Sequence, residues 1–569
     1  MLTALAIGGL LSLAACVRYP VLLVVLGLAV CYRAGRTVIE HTSHGTARWA
    51  RLDEIQRAGM TGGHGLPIGL VESKPPGFLQ SLRNLFDKRI PAFVACLAFM
   101  RSMRVFESKE PASEAIRLNR AVHTAVFAPT GAGKGVSLVI PFLLSCRDSC
   151  IVIDPKGENA KISADARRRM GQQVVILDPF GVVTKTPDTL NPLATLRNDD
   201  PLSQDDARAI AKEIVVRTGN EPDPIWNDNA ESLIQGMIVA SLWTHTKSLQ
   251  EVRGLLSDTG KRNAALKEMA ESPEWGGMIA RLGNQLANLK DKELAGVLST
   301  ANRHTAFLDT LPVADSTKAS SFDPAELMKG KATVYLVLPP QYLKSQAALL
   351  RLWVGTLMRA CIKNGAQEER LTHFVLDEAN SLGQMEALEN AVSLGRGYGV
   401  RLQFFYQSTG QLETCWRDGL DKTLLGNCTQ VYFAVRDLET AEQVSKQLGE
   451  STIVLKSGGT NTGGSKQSNS PEPSSSKGES WGESENWQFH GRALLKPEEV
   501  IALNPRLAVT FAPGVRPICT ALTRYYEGPA GKAPSRLTRL RTAAEVWVTA
   551  VLMLSITLGV CWAVLTNGR

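Results

Sequence analysis

The chain has 569 residues, of which 44% are hydrophobic and 21% charged, with a formal net charge of +8. This composition excludes a chain too polar to fold and leaves room for about three units with cores of their own. The excess of Lys and Arg suits nucleic acid or an anionic membrane, and equally an ordinary solvated surface. The ten cysteines form no CxxC pair and the eight histidines do not cluster. The thiols therefore read as reduced and structural, with Cys146 and Cys150 flanking the start of a buried strand, and no structural metal site is expected.

Residues 1–32 are predicted to be an N-terminal membrane segment. Residues 1–17 are apolar, Arg18-Tyr19-Pro20 interrupts, 21–31 is apolar again, and Arg33 and Arg36 follow on the cytoplasmic side. One kinked pass would leave Arg18 near mid-membrane, at a cost of about 2.5 kcal/mol or more. A tight hairpin avoids this, with arms shorter than the usual span of about 20 residues. Leu13-Ala14-Ala15-Cys16 also has the form of a lipoprotein cleavage box, although no basic residue precedes the apolar run. Residues 33–120 form a membrane-proximal region, with a packed or interfacial helix at 90–100.

The nucleotide-binding domain is predicted to begin at 121–190. His123-Thr124-Ala125-Val126-Phe127 is a short apolar strand that runs into Ala128-Pro129-Thr130-Gly131-Ala132-Gly133-Lys134-Gly135 and then an apolar helical stretch. Strand, glycine-rich turn, Lys and helix are the context of a phosphate loop. The backbone N–H groups of Thr130, Gly131, Ala132, Gly133, Lys134 and Gly135 would cradle phosphates. The helix N-terminus adds positive potential, and Lys134 reaches the β and γ oxygens. Ala128 stands where the consensus has Gly. Gly135 stands where it has the Mg²⁺-binding Ser or Thr, so water or Ser137 would have to replace that hydroxyl. Further strands near 149–154 and 173–178 predict a parallel α/β sheet.

Residues 191–322 change to a helical period, with Leu233, Met237, Ile238 and Leu242 on one face, and read as an all-α domain. Residues 323–455 return to the sheet. There Thr372-His373-Phe374-Val375-Leu376-Asp377-Glu378 is an apolar strand ending in two carboxylates. Asp377 is the candidate Mg²⁺ ligand and Glu378 the candidate activator of water. A second strand ends at Gln407, which could sense the γ-phosphate or position water. Arg396, on the glycine-flexed turn Gly395-Arg396-Gly397-Tyr398-Gly399, is the candidate arginine finger, with Arg436 as its rival. The cofactors implied are ATP and Mg²⁺.

Residues 456–490 are rich in Ser and Gly and are expected to be a flexible loop. A closing segment of the nucleotide-binding domain follows at 491–541. Residues 546–565 carry no charge and are long enough to cross a bilayer, and Lys532, Arg536, Arg539 and Arg541 put the preceding chain in the cytoplasm.

These motifs resemble those of the type IV secretion system coupling proteins, the TraG-like conjugative DNA-transfer ATPases. The resemblance runs from about 44 to 527. It rests on His44-Gly45-Thr46-Ala47-Arg48-Trp49-Ala50, the phosphate loop, Asp154-Pro155-Lys156-Gly157-Glu158, Asp178-Pro179-Phe180, Asn191-Pro192-Leu193, Leu376-Asp377-Glu378, Leu425-Gly426-Asn427-Cys428, Gly491-Arg492-Ala493-Leu494-Leu495 and Arg524-Tyr525-Tyr526, in that order. It implies a RecA-like α/β P-loop ATPase domain with an inserted all-α domain, and a multi-pass inner-membrane protein with its ATPase domain in the cytoplasm. It also implies a homo-hexamer that delivers single-stranded DNA with its relaxase, in a relaxosome, to the subunits of a secretion channel. Two departures stand out: the N-terminal apolar runs are nearly fused, and a C-terminal span is added. Two rival functions keep the same motor core, an ATP-gated substrate receptor that does not pump and a septal DNA translocase.

Overall fold

Short runs of β-branched and aromatic residues, bounded by Gly, Pro and Asp, build the sheet that organises the molecule. The structure is a computed structural model that describes residues 43–73, 112–463 apart from 218, 220, 222, 245, 246, 364 and 366–369, and 480–527. The membrane segments expected at 1–32 and 546–565, and the helix at 90–100, lie outside the described residues. Among the described residues no helix is long and apolar enough to cross a membrane.

The strands in chain order are β1 (Leu66–Ser73), β2 (Ala112–Leu118), β3 (His123–Phe127), β4 (Ser149–Ile153), β5 (Gln173–Leu177), β6 (Ala332–Leu336), β7 (Thr372–Asp377), β8 (Val400–Tyr406), β9 (Cys428–Phe433), β10 (Glu450–Gly463), β11 (Ser480–Ala493), β12 (Leu507–Phe511) and β13 (Ile518–Ala521). Eleven of them form one sheet in the order β2-β1-β13-β12-β9-β3-β8-β7-β4-β6-β5. From β9 to β5 the pairings are parallel, and from β9 outward to β2 they are antiparallel. The parallel strands are buried on both faces, which is why they read as continuous apolar runs.

Side chains alternate between two cores. Ala125, Phe127, Ile151 and Ile153 enter one, and Val126, Cys150 and Val152 enter the other. The second core is covered by the helix that follows the phosphate loop and by helix Glu158–Arg169, through Leu138, Phe142, Ala160 and Ala164. The first is covered by helix Ala347–Lys363 and by the insert, giving a three-layer α/β/α arrangement.

The all-α insert lies between β5 and β6. Its helices are Ser203–Ile214, Ile225–Ser241, Leu249–Ser257, Thr259–Glu271, Met278–Ala287, Asp291–Thr305 and Leu311–Thr317. Ile225 and Trp226 begin the second of these helices. Asn191 Nδ2 donates to Lys247 O at 2.6 Å and Lys318 O at 3.4 Å, which ties the start of the insert to its later parts. Buried Arg351 donates to Glu213 O and to Leu382 O, which fastens the insert to the sheet domain. Asp178, at the end of β5, accepts from the N–H groups of Val182, Val183 and Thr184, so this carboxylate holds a turn.

One expectation differs from the structure. Where a flexible loop is expected at 456–490, β10 and β11 pair as an antiparallel ribbon from Glu450↔Ala493 to Gly463↔Ser480. Pairing of these backbones needs no apolar run, so composition does not signal it, and residues 464–479 of the expected loop lie outside the described residues.

Candidate functional site

Because β3, β4, β7 and β8 run parallel, their C-terminal ends emerge on one edge of the sheet, where open α/β sheets bind ligands. The phosphate loop follows β3. It needs two residues in the left-handed region, and both are glycines: Gly131 at φ +81 and Gly133 at φ +96. A side chain at Gly133 would also press on Val136 Cγ2, 3.3 Å from the added Cβ. Thr130 and Gly131 are exposed, and Ala132, Gly133 and Gly135 are partly so. The helix starts with a π turn, Gly135–Val139, and continues as Ile140–Leu143. Ser137 is buried beneath the loop, with its N–H donating to Gly133 O at 2.9 Å.

Lys134 is 8% exposed, and its Nζ donates to Ala128 O at 2.7 Å. Burial lowers its pKa, opposed by the nearby Glu378 and Asp377 carboxyls. Asp377 is pushed up to about 6, first by burial and then by Glu378, against the pull of Lys134. Gln407 Nε2 donates to Glu378 Oε2 at 3.2 Å, and Gln407 N donates to Gln411 Oε1 at 2.8 Å. Lys134, Asp377, Glu378 and Gln407 thus meet at one place, although 273 residues separate the first from the last in sequence (407 − 134).

Two residues outside the sequence-derived set belong to this place. Asp154 closes β4 next to β7, whose Ile153↔Leu376 register sets it beside Asp377. It is 1% exposed, accepts from Ala160 N at 2.8 Å, and is pushed up to about 6 by burial. Lys156 acts on Asp377 from the same loop. The sequence signal was present in Asp154-Pro155-Lys156-Gly157-Glu158. What it lacked was the pairing of β4 with β7.

Arg396 is not brought to this cluster. It lies in the exposed turn Gly395–Tyr398 before β8, at the far end of that strand from Gln407. A seven-residue strand separates them by about 23 Å. Arg436 is exposed just past the end of β9, the strand parallel to β3, and so lies at the site's edge of the sheet.

The donor set suits a magnesium–nucleotide. The loop opens to free space at Gly131 and Gly135, where an added Cβ meets nothing within 4 Å, one cation is buried, and two strand-end carboxyls are held partly against ionisation, where a cation would favour the charged form. A parallel sheet with this loop, and with strand-end carboxylates one strand removed from it, defines a P-loop nucleotide-binding fold of the RecA-like kind. Residues 48–546 match the family described as type IV secretory system conjugative DNA transfer, and the chain belongs to that family.

Among relatives, the type IV secretion system-coupling protein VirD4 of Bartonella quintana (strain Toulouse) is 28% identical over 393 residues, covering 67% of this chain and 59% of the relative. Protein VirD4 of Rhizobium radiobacter is 27% identical over 488 residues, 85% of this chain and 64% of its own length. These alignments span under two thirds of the relatives' length. The solved structure of the plasmid coupling protein TrwB in complex with ADP and Mg²⁺ shares the fold, with a TM-score of 0.54 at 18% identity over 74% of this chain and 90% of that one.

Proposed function

We propose that this chain is an inner-membrane, multi-pass ATPase that couples a relaxase–DNA substrate to a type IV secretion channel and drives DNA transfer by ATP hydrolysis. The observation that carries this reading is the meeting of Lys134, Asp377, Glu378 and Gln407 at one sheet edge in a member of the conjugative DNA transfer family. The N–H groups of residues 130–135 and Lys134 would hold the phosphates of ATP. Asp377, with Asp154 beside it, would hold Mg²⁺, which when bound neutralises charge on the phosphate oxygens. Glu378 takes a proton from the attacking water, and Gln407 orients Glu378. Membership of the family suggests a homo-hexameric ring, in which the exposed Arg436, or Arg396, would reach the nucleotide of a neighbouring copy. Single-stranded DNA would be gripped through its phosphates, with strong salt dependence and little base preference.

The test is ATP turnover by the full chain in reconstituted membranes, with and without single-stranded DNA. The expected result is DNA-stimulated turnover that falls to background in Lys134→Ala while membrane insertion is retained. Turnover unchanged by Lys134→Ala would overturn the site. ATP binding without turnover, together with DNA transfer that survives Glu378→Gln, would replace the pump with an ATP-gated receptor.

A further inference from the structure

At the end of the sheet opposite the phosphate loop, three chain segments converge. The helix after the loop runs out toward Cys146, β4 begins with Ser149 and Cys150, and β7 begins with Thr372 and His373. Cys146, Asp148 and His373 each present a ligand atom, and these atoms lie within 4.8 Å of one another. His373 Nε2 is 3.3 Å from Asp148 Oδ2, and Cys146 Sγ is 3.9 Å from the same oxygen. Both separations are long for good hydrogen bonds. Both are close to the edges of a tetrahedral zinc site, about 3.4 Å for N to O and about 3.6 Å for S to O with ordinary bond lengths. Outside that group of three, Cys150 pairs in register with His373 across β4 and β7, which sets a second thiol next to the cluster as a candidate fourth donor.

We infer that Cys146, Asp148 and His373, with Cys150 as the fourth donor, form a binding site for a divalent transition metal of the zinc class. One observation besides the cluster itself supports it. Arg167 is fully buried beside the cluster. Its guanidinium donates to Leu143 O, Cys146 O, Asp148 O, Thr333 Oγ1 and Cys150 Sγ, and no carboxylate is among these acceptors. Among the described residues this buried cation therefore has no carboxylate bonded to it, and a negatively charged metal cluster would supply its counter-charge. Two thiolates and a carboxylate around a divalent ion carry one excess negative charge, which the guanidinium cancels. Asp148, whose side chain is 33% exposed, is the way in for the ion.

The consequence is mechanical. His373 and Asp148 are 225 residues apart in sequence, so the metal closes a long loop and adds its binding energy to folding. It joins the far end of the phosphate-loop helix to the start of the strand that carries Asp377.

The test uses the full chain, untagged and purified in reducing buffer. Zinc is measured by elemental mass spectrometry after gel filtration, then stripped and replaced by Co²⁺ alone. The expected result is stoichiometric zinc, thiolate-to-cobalt charge-transfer absorption, and loss of both in Cys146→Ala and in His373→Ala. Wild-type protein with zinc below a tenth of stoichiometric and no thiolate–cobalt absorption overturns the site, whatever the variants do. Folded Cys146→Ala with undiminished zinc and an unchanged cobalt spectrum overturns it equally. If the variants fail to fold, the wild-type cobalt spectrum decides.

Discussion

Gln407 Nε2 donates to Glu378 Oε2 at 3.2 Å across the ends of the adjacent parallel strands β8 and β7. The amide fixes one carboxylate oxygen and is itself held from its backbone by Gln411. Gln407→Ala is therefore expected to leave ATP affinity within about twofold and to lower turnover by about 10²-fold, through lost orientation of the base. Glu378→Gln should lower it by about 10²- to 10⁴-fold. The double variant should be no slower than Glu378→Gln alone, because the two act as one unit. Single-turnover kinetics check this, and multiplicative losses would show that they act separately.

Glu378 has φ 64 and ψ 48, a left-handed conformation that a side chain opposes by about 1 kcal/mol. The strain sits on the candidate base itself. Glu378→Gly should be more stable than Glu378→Ala by about 1 kcal/mol, although glycine gains more freedom on unfolding. Both should be inactive. Thermal midpoints of the nucleotide-free proteins measure the difference, and Ala equal to or above Gly would remove the claim of strain.

Asp377 and Asp154 both titrate near 6 in the folded chain, raised by burial from an ordinary value of 3.8. A carboxyl whose folded pKa is raised binds more protons folded than unfolded between these values. Its stabilising contribution is complete below about pH 4 and is lost as pH rises through 6. The pair titrates as a unit, so the window belongs to both groups. Asp377→Asn removes one ionisation and should stabilise the nucleotide-free protein near pH 7.5 by on the order of 1 kcal/mol. The gain should vanish near pH 4. Thermal midpoints of the two proteins at each pH test this, and a gain independent of pH would contradict it.

Much of this site is legible in sequence because its parts are local. A strand, two glycines forced into positive φ, Lys134 and a helix make one continuous signal, as do β7 and its terminal Asp377. What stays hidden is what only strand pairing creates. Asp154 becomes a partner of Asp377 because β4 lies next to β7, and Cys146 meets His373 for the same reason. Arg396 illustrates a further limit: this glycine-flanked arginine lies at the end of β8 opposite Gln407 in its own chain, because strand direction is invisible in a motif. The ribbon of β10 and β11 escapes composition-based reading since pairing of its backbone requires no apolar face.

The two arginines are separable by experiment. Arg436 stands at the site's edge of the sheet and Arg396 at the opposite end. If Arg436 completes the site of a neighbouring copy, Arg436→Ala should cut turnover by about 10³-fold or more without changing ATP affinity, while Arg396→Ala changes it less than tenfold. Mixing Arg436→Ala with Glu378→Gln subunits should restore part of the activity, because some interfaces then combine an intact Glu378 with an intact Arg436. The opposite ranking of the two variants would return the role to Arg396.

Gly135 occupies the place where many phosphate loops carry a hydroxyl. It is the first residue of the π turn that starts the helix, and a Cβ added there meets nothing within 4 Å. Glycine inside a helix costs about 0.5–1 kcal/mol relative to alanine, so Gly135→Ala should stabilise the nucleotide-free protein by up to that amount. Gly135→Ser should stabilise it less, but it alone supplies an oxygen to the metal. The Mg²⁺ concentration for half-maximal turnover should therefore fall in Gly135→Ser and stay unchanged in Gly135→Ala. Equal shifts in both would mean that the hydroxyl does not reach the metal position. In that case Ser137, buried two residues further on, would be the next residue to replace.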